Sequence, residues 1–336
     1  MNILYQCNDN YAPYCGVSIT SLFENNKHIE DISVFILSDD MSHENQSKFM
    51  LLAEEYGRKI VIVDSNPLNK KLEQLGIPMY RGSYSTNFKL FAYELLDCKI
   101  ERLLYIDSDT VVVGDISELF EINLNNCPVA MAQDSLVTNH KEDIGLNKQN
   151  PYYNAGVILF DMCEWEKQQC SNKIIEHVKT VRAHYPAPDQ DLLNVVFKNR
   201  IFQLLPEYNM EPAYYMFSFK NYYKTFKNPS FYSRDILEQE KNNPKIIHFF
   251  RVMGEFPWHK NNMHPFNDLF DKYLAISPWS DYEKKDSNIS WVFRIEKMLY
   301  KCLPECIFIR LFHLSHIYFM KKSNKLSLKN KNNKYM

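Results

Sequence analysis

Two carboxylates, Asp107 and Asp109, stand two positions apart inside an apolar stretch at 103–113 that is rich in β-branched and aromatic residues. Such a run is typical of a buried strand. Because side chains alternate along extended backbone, both carboxylates would point to the same side and could bind one divalent cation. Burying them without a positive partner would cost several kcal/mol each. The alternative is a strand that ends at Asp107 and turns, which leaves two solvated loop acids.

Other polar residues also follow predicted strands. The predicted strand at 3–7 leads into Asn8 and Asn10, and the predicted strand at 32–37 leads into Asp39. The segments between strands have helical periodicity, so the order β-α-β-α-β indicates an α/β fold with a mostly parallel sheet and helices on both faces. In such sheets ligands bind beyond the carboxyl ends of the strands, where these polar side chains would meet the paired carboxylates.

The composition excludes several classes of protein and of binding site. The 336-residue chain is 45% hydrophobic and 24% charged, which is typical of a globular protein with a substantial core. With 8 Gly and neither a G-x-G-x-x-G nor a Walker motif, the sequence argues against a Gly-rich phosphate loop. Its eight cysteines include no C-x-x-C pair, which favours reduced thiols in a cytoplasmic protein over a disulfide scaffold or a zinc ribbon. We expect no secretory signal, because the first residues already form a predicted strand.

Charge is distributed unevenly along the chain. The net charge is −2, but residues 291–336 carry ten basic and two acidic residues, a net charge of +8, which leaves −10 for residues 1–290. The acidic body argues against nucleic acid as a partner. The basic end of the chain could instead bind an anionic surface.

Three further segments give specific expectations. The pattern at 86–96 predicts an amphipathic helix that carries Lys89, for which a solvated surface position is the default. The polar segment at 134–151 is long for a compact domain and suggests a lid or a substrate-binding loop. The segment at 161–184 predicts one long helix.

Small and polar residues near later elements could also contact a ligand. Asn154 and Ala155 precede Gly156, which would permit close backbone approach to a ligand, although a β-bulge explains a strand glycine equally well. Asp189 stands near a predicted helix N-terminus, where capping alone could account for it, but not for the sequence Asp189-Gln190-Asp191 before an apolar run. His248 ends a predicted strand, and a lone histidine beside Phe and Ile is more often a core residue than a metal ligand.

Four motifs give the chain a specific resemblance to a known family. In chain order they are Cys7-Asn8-Asp9-Asn10-Tyr11, Tyr105-Ile106-Asp107-Ser108-Asp109, Tyr153-Asn154-Ala155-Gly156-Val157 with Asp189-Gln190-Asp191, and His248 followed by Pro257-Trp258-His259. Over about residues 1–275 the chain thereby resembles glycosyltransferase family eight. The resemblance implies a GT-A fold, in which a Rossmann-like, mostly parallel sheet is flanked by helices, and retaining transfer from a nucleotide sugar.

The resemblance also implies a ligand set. Asp107, Asp109 and His248 would coordinate Mn²⁺ or Mg²⁺, which holds the diphosphate of a UDP-sugar. Carboxylates and an imidazole suit these ions, and the absence of thiolates argues against zinc. Other matching positions would bind uridine, the diphosphate or the sugar hydroxyls of the donor: Asn8, Asn10, Asp39, Lys89, Asn154, Ala155, Gly156, Asp189 and Arg251.

Gln190 matches the family position near the β-face of the anomeric carbon. An amide is a poor nucleophile, so we favour a front-face mechanism in which the leaving group and the acceptor occupy the same side of the sugar. A diphosphate oxygen would then help to deprotonate the acceptor hydroxyl. Asp189 is the alternative nucleophile.

Two departures from the family pattern concern donor binding. Lys89 stands where the family usually has arginine, which keeps the charge but loses the bidentate fork. The segment at 249–256 is longer than usual and has Phe256 instead of lysine before Pro257. Arg251 could replace the missing contact with the diphosphate.

The end of the chain predicts a helical basic tail at 276–336. The apolar segment at 307–320 is too short and too polar to span a bilayer. On a helix Arg310, His313 and His316 would form one polar stripe on an otherwise apolar cylinder, which suits a helix in the membrane interface. Further basic residues follow it at Lys321, Lys322, Lys325 and Lys329. The alternative is a helix packed on the body or on a dimer partner.

The sequence therefore predicts an enzyme that moves galactose or glucose from UDP-galactose or UDP-glucose to a glycan or glycolipid acceptor, as in lipopolysaccharide biosynthesis. A cytoplasmic protein peripheral to the inner face of the membrane fits such an acceptor. Two alternatives stay open. The departures at Lys89 and Phe256 could leave a nucleotide-sugar-binding protein with little turnover, or the tail could make the protein a membrane-attached scaffold.

Overall fold

The computed structural model describes residues 1–77, 79–80, 82–96, 100–135, 140–181, 185–226 and 230–334, with side chains in the last helix given as far as Tyr318 and at Lys321. The strands are β1 (Asn2–Gln6), β2 (Ser33–Ser38), β3 (Lys59–Asp64), β4 (Arg102–Ile106), β5 (Thr110–Val112), β6 (Val129–Gln133), β7 (Tyr153–Asp161), β8 (Ile201–Gln203) and β9 (Ile246–His248). The α-helices are α1 (Ala12–Asn25), α2 (His43–Tyr56), α3 (Asn66–Leu75), α4 (His140–Asp143), α5 (Met162–Lys167), α6 (Cys170–Thr180), α7 (Pro188–Val196), α8 (Ala213–Met216), α9 (Phe219–Phe226), α10 (Arg234–Lys241), α11 (Asn267–Ala275), α12 (Trp291–Cys302) and α13 (Glu305–Lys334). Short 3₁₀ segments cover Asp9–Tyr11, Ser85–Leu90, Ala92–Glu94, Ser117–Phe120 and Pro206–Asn209.

Seven strands form one mixed sheet in the order β3-β2-β1-β4-β7-β6-β8. The pairs β3-β2, β2-β1, β1-β4 and β6-β8 are parallel, whereas β7 runs antiparallel to β4 and to β6. Strands β5 and β9 form a separate antiparallel pair. The predicted α/β class with a mostly parallel sheet is confirmed.

Helices cover both faces of the large sheet. Along β1, Ile3 and Tyr5 join the core under α1, α2 and α11, while Leu4 joins the core under α3, α6 and α7. Both sets are buried because side chains alternate along the strand and each face carries its own helices. This double coverage explains why β1 is apolar throughout its centre instead of alternating with polar residues.

Of the two interpretations of 103–113, one continuous strand was wrong, and the alternative of a strand that ends near Asp107 and turns describes the backbone, although the two acids are partly buried and not fully solvated. β4 belongs to the large sheet, β5 belongs to the small sheet, and the link Asp107-Ser108-Asp109 joins them. Two hydrogen bonds shape this link: Ser108 Oγ donates to Gln6 O at 2.6 Å, and Thr110 Oγ1 donates to Asp107 O at 2.9 Å. The chain leaves the large sheet here because β5 pairs with β9, and the two acids therefore lie on the connection between the sheets.

Two predicted helices also differ from the structure. The segment at 86–96 forms two 3₁₀ segments, and four consecutive residues, 87–90, are buried, so it has no exposed helical face. The segment at 161–184 forms α5 and α6, which are separated where Gln169 adopts a left-handed φ of 51°. Residues 182–184 of that prediction lie outside the described part of the chain.

The tail helices pack on the body along one side. Phe308 and Ile309 of α13 are buried, and the Phe308 ring stacks with Phe217 at a centroid distance of 6.1 Å. Upstream, buried Trp279 lies so close to α1 that a Cβ on Gly16 would come within 2.2 Å of the indole. Residues on both sides of position 275 therefore share one core.

Two further observations concern the whole described chain. Cys7, Cys15, Cys127, Cys163, Cys170, Cys302 and Cys306 are free thiols, and Cys98 lies outside the described residues. Among the described residues, no helix has both the length and the apolar character needed to cross a bilayer.

Candidate active site

A cavity of about 540 Å³ opens where β1 and β4 end and α7 begins. Chains that leave parallel strands diverge at this edge, which makes it the usual ligand site of such sheets. Most of the predicted site residues line it: Asn8, Lys89, Asp107, Asp109, Asn154, Ala155, Gly156, Asp189, Gln190 and His248. The sheet therefore brings together residues that are far apart in the sequence.

Asp107, Asp109 and His248 form one cluster in which a ligand atom from each residue lies within 4.8 Å of the others. His248 Nε2 lies 3.3 Å from Asp109 Oδ1 and 3.9 Å from Asp107 Oδ2. Strand pairing produces this arrangement, because Thr110 of β5 stands opposite His248 of β9. This geometry is consistent with the prediction that His248 joins the two carboxylates. The surroundings of His248 differ from those of an ordinary core histidine, because two carboxylates face its ring.

The donor set fits a hard divalent cation. Ligand atoms at these separations can surround one ion, and two carboxylates with an imidazole suit Mn²⁺ or Mg²⁺. Burial raises the pKa of the Asp107 carboxyl above its usual value, although Lys89 and His248 oppose the rise. Burial also disfavours the His248 imidazolium, but the two carboxylates raise its pKa on balance. The negative charge of these two half-buried carboxylates is what a bound cation would stabilise.

The second ring nitrogen of His248 is held by a residue that sequence reasoning missed. His248 Nδ1 lies 3.0 Å from Asn209 Oδ1, and this hydrogen bond leaves Nε2 facing the carboxylates. Asn209 Nδ2 in turn donates to Asn154 Oδ1 at 2.9 Å. Asn209 therefore connects the candidate metal ligand to a predicted sugar-binding residue.

Gly156 gives His248 the room that it occupies. A Cβ on Gly156 would lie 2.2 Å from the His248 ring, which excludes any side chain without a shift of the imidazole. Gly156 O also accepts from Asp107 N at 2.7 Å, which fixes the first carboxylate beside β7. Gly156 thus permits close approach, and the group that approaches it is the His248 side chain.

Lys89 is buried, with 5% of its surface exposed, so the surface position that is the default for lysine does not apply. Its Nζ lies 2.8 Å from Asp189 Oδ2 and 3.4 Å from Asp107 Oδ1, and it donates to Ala155 O at 3.1 Å. It also lies 4.1 Å from the centre of the Tyr105 ring. Burial opposes its charge, but the two carboxylates raise the Lys89 pKa on balance. This cation joins the candidate metal cluster to α7.

Capping does not account for Asp189. The N-cap residue of α7 is Ala187, which has no capping side chain, and the Asp189 carboxylate pairs with Lys89 instead. Its position in the first turn still favours negative charge, because the partial positive charge of the helix lies there. The carboxylate is therefore fixed at the cavity wall by two independent sources of positive potential.

The Gln190 amide has a partner at each of its hydrogen-bonding positions. Its Oε1 accepts from Ala155 N at 3.0 Å and from Asn154 Nδ2 at 3.1 Å. Its Nε2 donates to Asp134 Oδ2 at 3.2 Å and to Tyr152 OH at 3.1 Å. The side chain is consequently held in one orientation at the cavity wall.

Other predicted donor-binding residues lie at the rim or away from the cavity. Asn8 lines the cavity and accepts from Tyr11 N at 3.1 Å. Asp39 accepts from Asn69 Nδ2 at 3.0 Å, and the Arg251 guanidinium lies 5.2 Å from the Phe256 ring centre. Among the described residues, the cavity lining includes neither of these two side chains nor exposed Asn10. Their roles in donor binding stay predictions.

The predicted lid contains an ordered helix. Within 134–151, α4 places His140 and Lys141 in buried positions, and Lys141 Nζ donates to Lys148 O at 2.8 Å and Asn150 O at 2.6 Å. Residues 136–139 lie outside the described chain. No sequence pattern identified His140, because one histidine in a polar segment carries no spacing signal.

Comparison with known proteins gives an independent finding. A family model described as "Glycosyl transferase family 8" matches residues 2–262. The chain is 31% identical over 290 residues to a lipopolysaccharide 1,2-glucosyltransferase of Escherichia coli strain K12, a match that covers 85% of this chain and 81% of that protein. It is 26% identical to a lipopolysaccharide 1,3-galactosyltransferase of Salmonella typhimurium strain LT2, over 83% of this chain and 79% of that protein.

Solved structures show the same fold. A crystal structure of the galactosyltransferase LgtC in complex with donor and acceptor sugar analogs superimposes with a TM-score of 0.67 at 22% identity. The match covers 88% of this chain and 99% of that one. At this identity the similarity supports the predicted GT-A fold and says nothing about which sugar is transferred.

Proposed function

The chain belongs to glycosyltransferase family 8, and we propose that it transfers galactose or glucose, with retention of configuration, from a UDP-sugar to a glycan acceptor. One observation carries the proposal: the candidate metal cluster and the predicted sugar-binding residues line one cavity. Relatives named as a glucosyltransferase and a galactosyltransferase both support a hexose donor. Their names also favour an acceptor of the lipopolysaccharide type.

Asp107, Asp109 and His248 would hold Mn²⁺ or Mg²⁺, which offsets the charge that develops on the departing diphosphate. Lys89 adds a second positive charge beside the cluster and orients the Asp189 carboxylate through their 2.8 Å contact. Because this lysine reaches both carboxylates without the arginine fork, the departure at this position gives little support to the alternative of a nucleotide-sugar-binding protein with little turnover.

The donor sugar would lie against Asn154, Asp189 and Gln190. In the front-face mechanism the acceptor hydroxyl oxygen forms a bond to the anomeric carbon on the side from which the diphosphate oxygen leaves. The anomeric carbon–oxygen bond to the diphosphate breaks with its electron pair, and the acceptor proton moves to the departing diphosphate. The Gln190 oxygen already accepts two hydrogen bonds, which supports a positioning role for it rather than a covalent one.

We further propose that α12 and α13 attach the enzyme to a membrane surface that carries a lipid-linked acceptor. One face of each helix exposes apolar side chains at helical spacing: Trp291, Ile295 and Met298, then Ile307, Leu311, Leu314 and Tyr318. The opposite face of α13 packs on the body through Phe308. The membrane proposal therefore concerns one face of α13, and the alternative of a packed helix describes the other. Such one-sided apolar exposure is typical of interfacial helices.

The expected polar stripe of Arg310, His313 and His316 is not exposed as one continuous surface. His313 lies against the Phe226 ring at a centroid distance of 4.9 Å, whereas Arg310 is exposed. The predicted basic side chains Lys322, Lys325 and Lys329 lie outside the described side chains. Support for the membrane proposal therefore comes from the exposed apolar face and from the net positive charge of the tail.

Release of UDP from UDP-glucose and UDP-galactose, with and without Mn²⁺, tests the proposed function. We expect metal-dependent release by the unaltered chain and loss of at least about a hundredfold in the Asp107→Ala, Asp109→Ala double variant. Asp281→Ala, which removes an exposed carboxylate paired with Lys48, is the control and should keep full activity. Neither UDP release nor metal-dependent UDP binding with any donor would contradict the proposal.

A further inference from the structure

His140 of α4 makes a buried contact with the helix that carries Asp189 and Gln190. Its Nε2 lies 2.7 Å from Asp191 Oδ1, and the exposed fractions of His140 and Asp191 are 6% and 0%. Fifty-one positions separate the two residues in the chain. A buried carboxylate and imidazole in contact stabilise one another only in a narrow range of geometries, so this pair fixes α4 relative to α7.

Two more donors complete the environment of Asp191. Tyr152 OH lies 2.5 Å from the same Oδ1, and Ala187 N donates to Oδ2 at 3.0 Å. The carboxylate therefore accepts from a histidine, a tyrosine and a backbone amide. The Tyr152 hydroxyl has one proton, and it donates that proton to Asp191 Oδ1.

The direction of the hydrogen bond from Tyr152 to Asp191 determines which atom of the Gln190 amide can face Tyr152. Because the hydroxyl proton is used in the hydrogen bond to Asp191, the hydroxyl oxygen can only accept from the Gln190 side chain, 3.1 Å away. The Gln190 atom that faces Tyr152 must then be the donor Nε2. The backbone amide of Ala155 requires the opposite atom to be the acceptor Oε1, which agrees. Both ends of the amide are thus assigned by partners whose roles cannot reverse.

We propose that His140 is a positioning residue of the transfer reaction, which acts through Asp191 and Tyr152 to hold the Gln190 amide in one orientation beside the anomeric carbon. This inference rests on the proposed function, because Gln190 is placed near the anomeric carbon by that proposal. It adds a residue from the predicted lid segment to the machinery of the site. The chain of contacts His140-Asp191-Tyr152-Gln190 uses no cavity-lining group until its last member.

The surroundings of His140 argue against a role in packing alone. Its ring contacts Tyr152 edge-on at a centroid distance of 5.7 Å, and its Nδ1 has no hydrogen-bond partner among the described residues. An apolar side chain at this position would give the same ring contact without an unpaired buried nitrogen. The imidazole is therefore best explained by the hydrogen bond that its Nε2 makes to Asp191.

A steady-state comparison tests the inference. We expect His140→Ala to lower kcat about tenfold with KM for the UDP-sugar changed less than about twofold, because the amide loses its orientation but the donor keeps its contacts. His140→Gln retains a donor of similar reach and should recover most of kcat. Tyr152→Phe removes the hydroxyl and should lower kcat as His140→Ala does.

The decisive readout is the same substitution in a Gln190→Ala background. If His140 acts through Gln190, His140→Ala should lower kcat by less than about twofold once the amide is absent. A residue with only a structural role would lower kcat equally in both backgrounds. Tyr215→Phe, which removes a hydroxyl that donates to Lys241 O outside this network, is the matched control and should leave kcat unchanged.

Three results would overturn the inference. They are an unchanged kcat in His140→Ala, an equal loss with and without Gln190, or no recovery in His140→Gln when its thermal unfolding matches the unaltered chain. If His140→Ala does not fold, Tyr152→Phe in the two backgrounds decides the same question, because it interrupts the same path. Absence of transfer by the unaltered chain would instead refute the proposed function on which the inference rests.

Discussion

Among the single residues of the site, Asn209 determines which nitrogen of His248 can bind a cation. Its 3.0 Å contact with Nδ1 leaves Nε2 for the carboxylate side. We predict that Asn209→Ala weakens Mn²⁺ binding at least about tenfold, since loss of such a hydrogen bond leaves the ring free to rotate or to change tautomer. Titration calorimetry with Mn²⁺ measures this directly, without turnover.

A matched substitution controls for the loss of an amide. Asn25→Ala removes an amide that donates to Val112 O and Tyr273 OH, away from the cluster. It should leave the dissociation constant for Mn²⁺ unchanged. Equal affinity in Asn209→Ala and the unaltered chain would show that this contact does not organise the cation site.

Lys89 is predicted to matter for stability as well as for donor binding. Lys89→Met would leave Asp107 and Asp189 without their common cation and should lower the free energy of unfolding by about 3 kcal/mol, because breaking a buried ion pair leaves an uncompensated charge. Lys89→Arg keeps the charge and should lose less. Denaturant unfolding measures both effects.

The control for Lys89 is a lysine in a more exposed pair. Lys71 pairs with Glu94 at a site where its side chain is 36% exposed. Lys71→Met should change the free energy of unfolding by less than about 1 kcal/mol. If Lys89→Met lowers the free energy of unfolding no more than this, the buried lysine contributes no more to stability than the exposed one.

The cavity residues differ in how far sequence could identify them. Asp107, Asp109 and His248 could be predicted because acids two positions apart and a histidine at a strand end have recognisable patterns. Asn209 and His140 could not, because each is a single polar residue whose partner lies 39 or 51 positions away. Such pairs are set by packing between elements, which no local pattern records.

Between secondary-structure elements, a buried ion pair fastens the segment after β9 to α12. Glu255 is 2% exposed and accepts from Lys297 at 2.8 and 2.9 Å and from Ser287 at 2.7 Å. This segment, at 249–256, includes Phe250, which lines the cavity and contacts the His248 ring at a centroid distance of 4.2 Å. The longer segment that departs from the family pattern therefore packs against the tail.

We predict that Lys297→Met destabilises the chain by about 2–4 kcal/mol, because Glu255 would stay buried without its cation. Adding Glu255→Gln should restore part of the loss, since the buried charge disappears. Thermal and denaturant unfolding of the single and double variants measure the coupling between the two positions. Additive losses would show that the pair does not join the segment to α12.

Elements were predictable where periodicity was simple. β1 and β2 lie within one residue of the predicted ranges 3–7 and 32–37 because each is a regular apolar run with clear ends. The segment at 86–96 was not, because it is buried on consecutive positions and packs as 3₁₀ turns. The break within 103–113 depends on a strand pairing with β9, which is more than a hundred positions away in the chain.

For the molecule as a whole, Glu207 couples stability to pH. Burial and the neighbouring Glu240 carboxyl raise the pKa of Glu207 from 4.5 to about 7. Since the folded pKa lies above the unfolded one, this group stabilises the fold below about pH 4.5, and the contribution is lost as pH rises through about 7. We predict that the melting temperature falls between pH 5 and pH 8 in part through this group.

Glu207→Gln tests this prediction, because glutamine resembles the protonated carboxyl at every pH. Its melting temperature should vary less between pH 5 and pH 8 than that of the unaltered chain, as measured by calorimetry. Glu283→Gln, an exposed residue, is the control and should keep the original slope. Parallel curves for Glu207→Gln and the unaltered chain would contradict the assignment.

The exposed apolar face of the tail predicts membrane binding by the whole protein. Leu311→Glu with Leu314→Glu should abolish co-sedimentation with vesicles that contain anionic phospholipid, because charges would replace the inserted apolar side chains. Met50→Glu with Leu51→Glu places the same charges on exposed apolar positions of α2 and should not change binding. Equal sedimentation of all three proteins would refute attachment through this face.

Retaining, metal-dependent transfer at the cavity of Asp107, Asp109 and His248 underlies the whole proposal. Proton NMR of the anomeric signal during Mg²⁺-supported breakdown of UDP-glucose or UDP-galactose tests it without any assumption about the acceptor. We expect the α anomer of the free or transferred hexose to form first, together with UDP, and neither to form in the Asp107→Ala, Asp109→Ala variant. First formation of the β anomer, or equal turnover by the variant, would contradict the proposal.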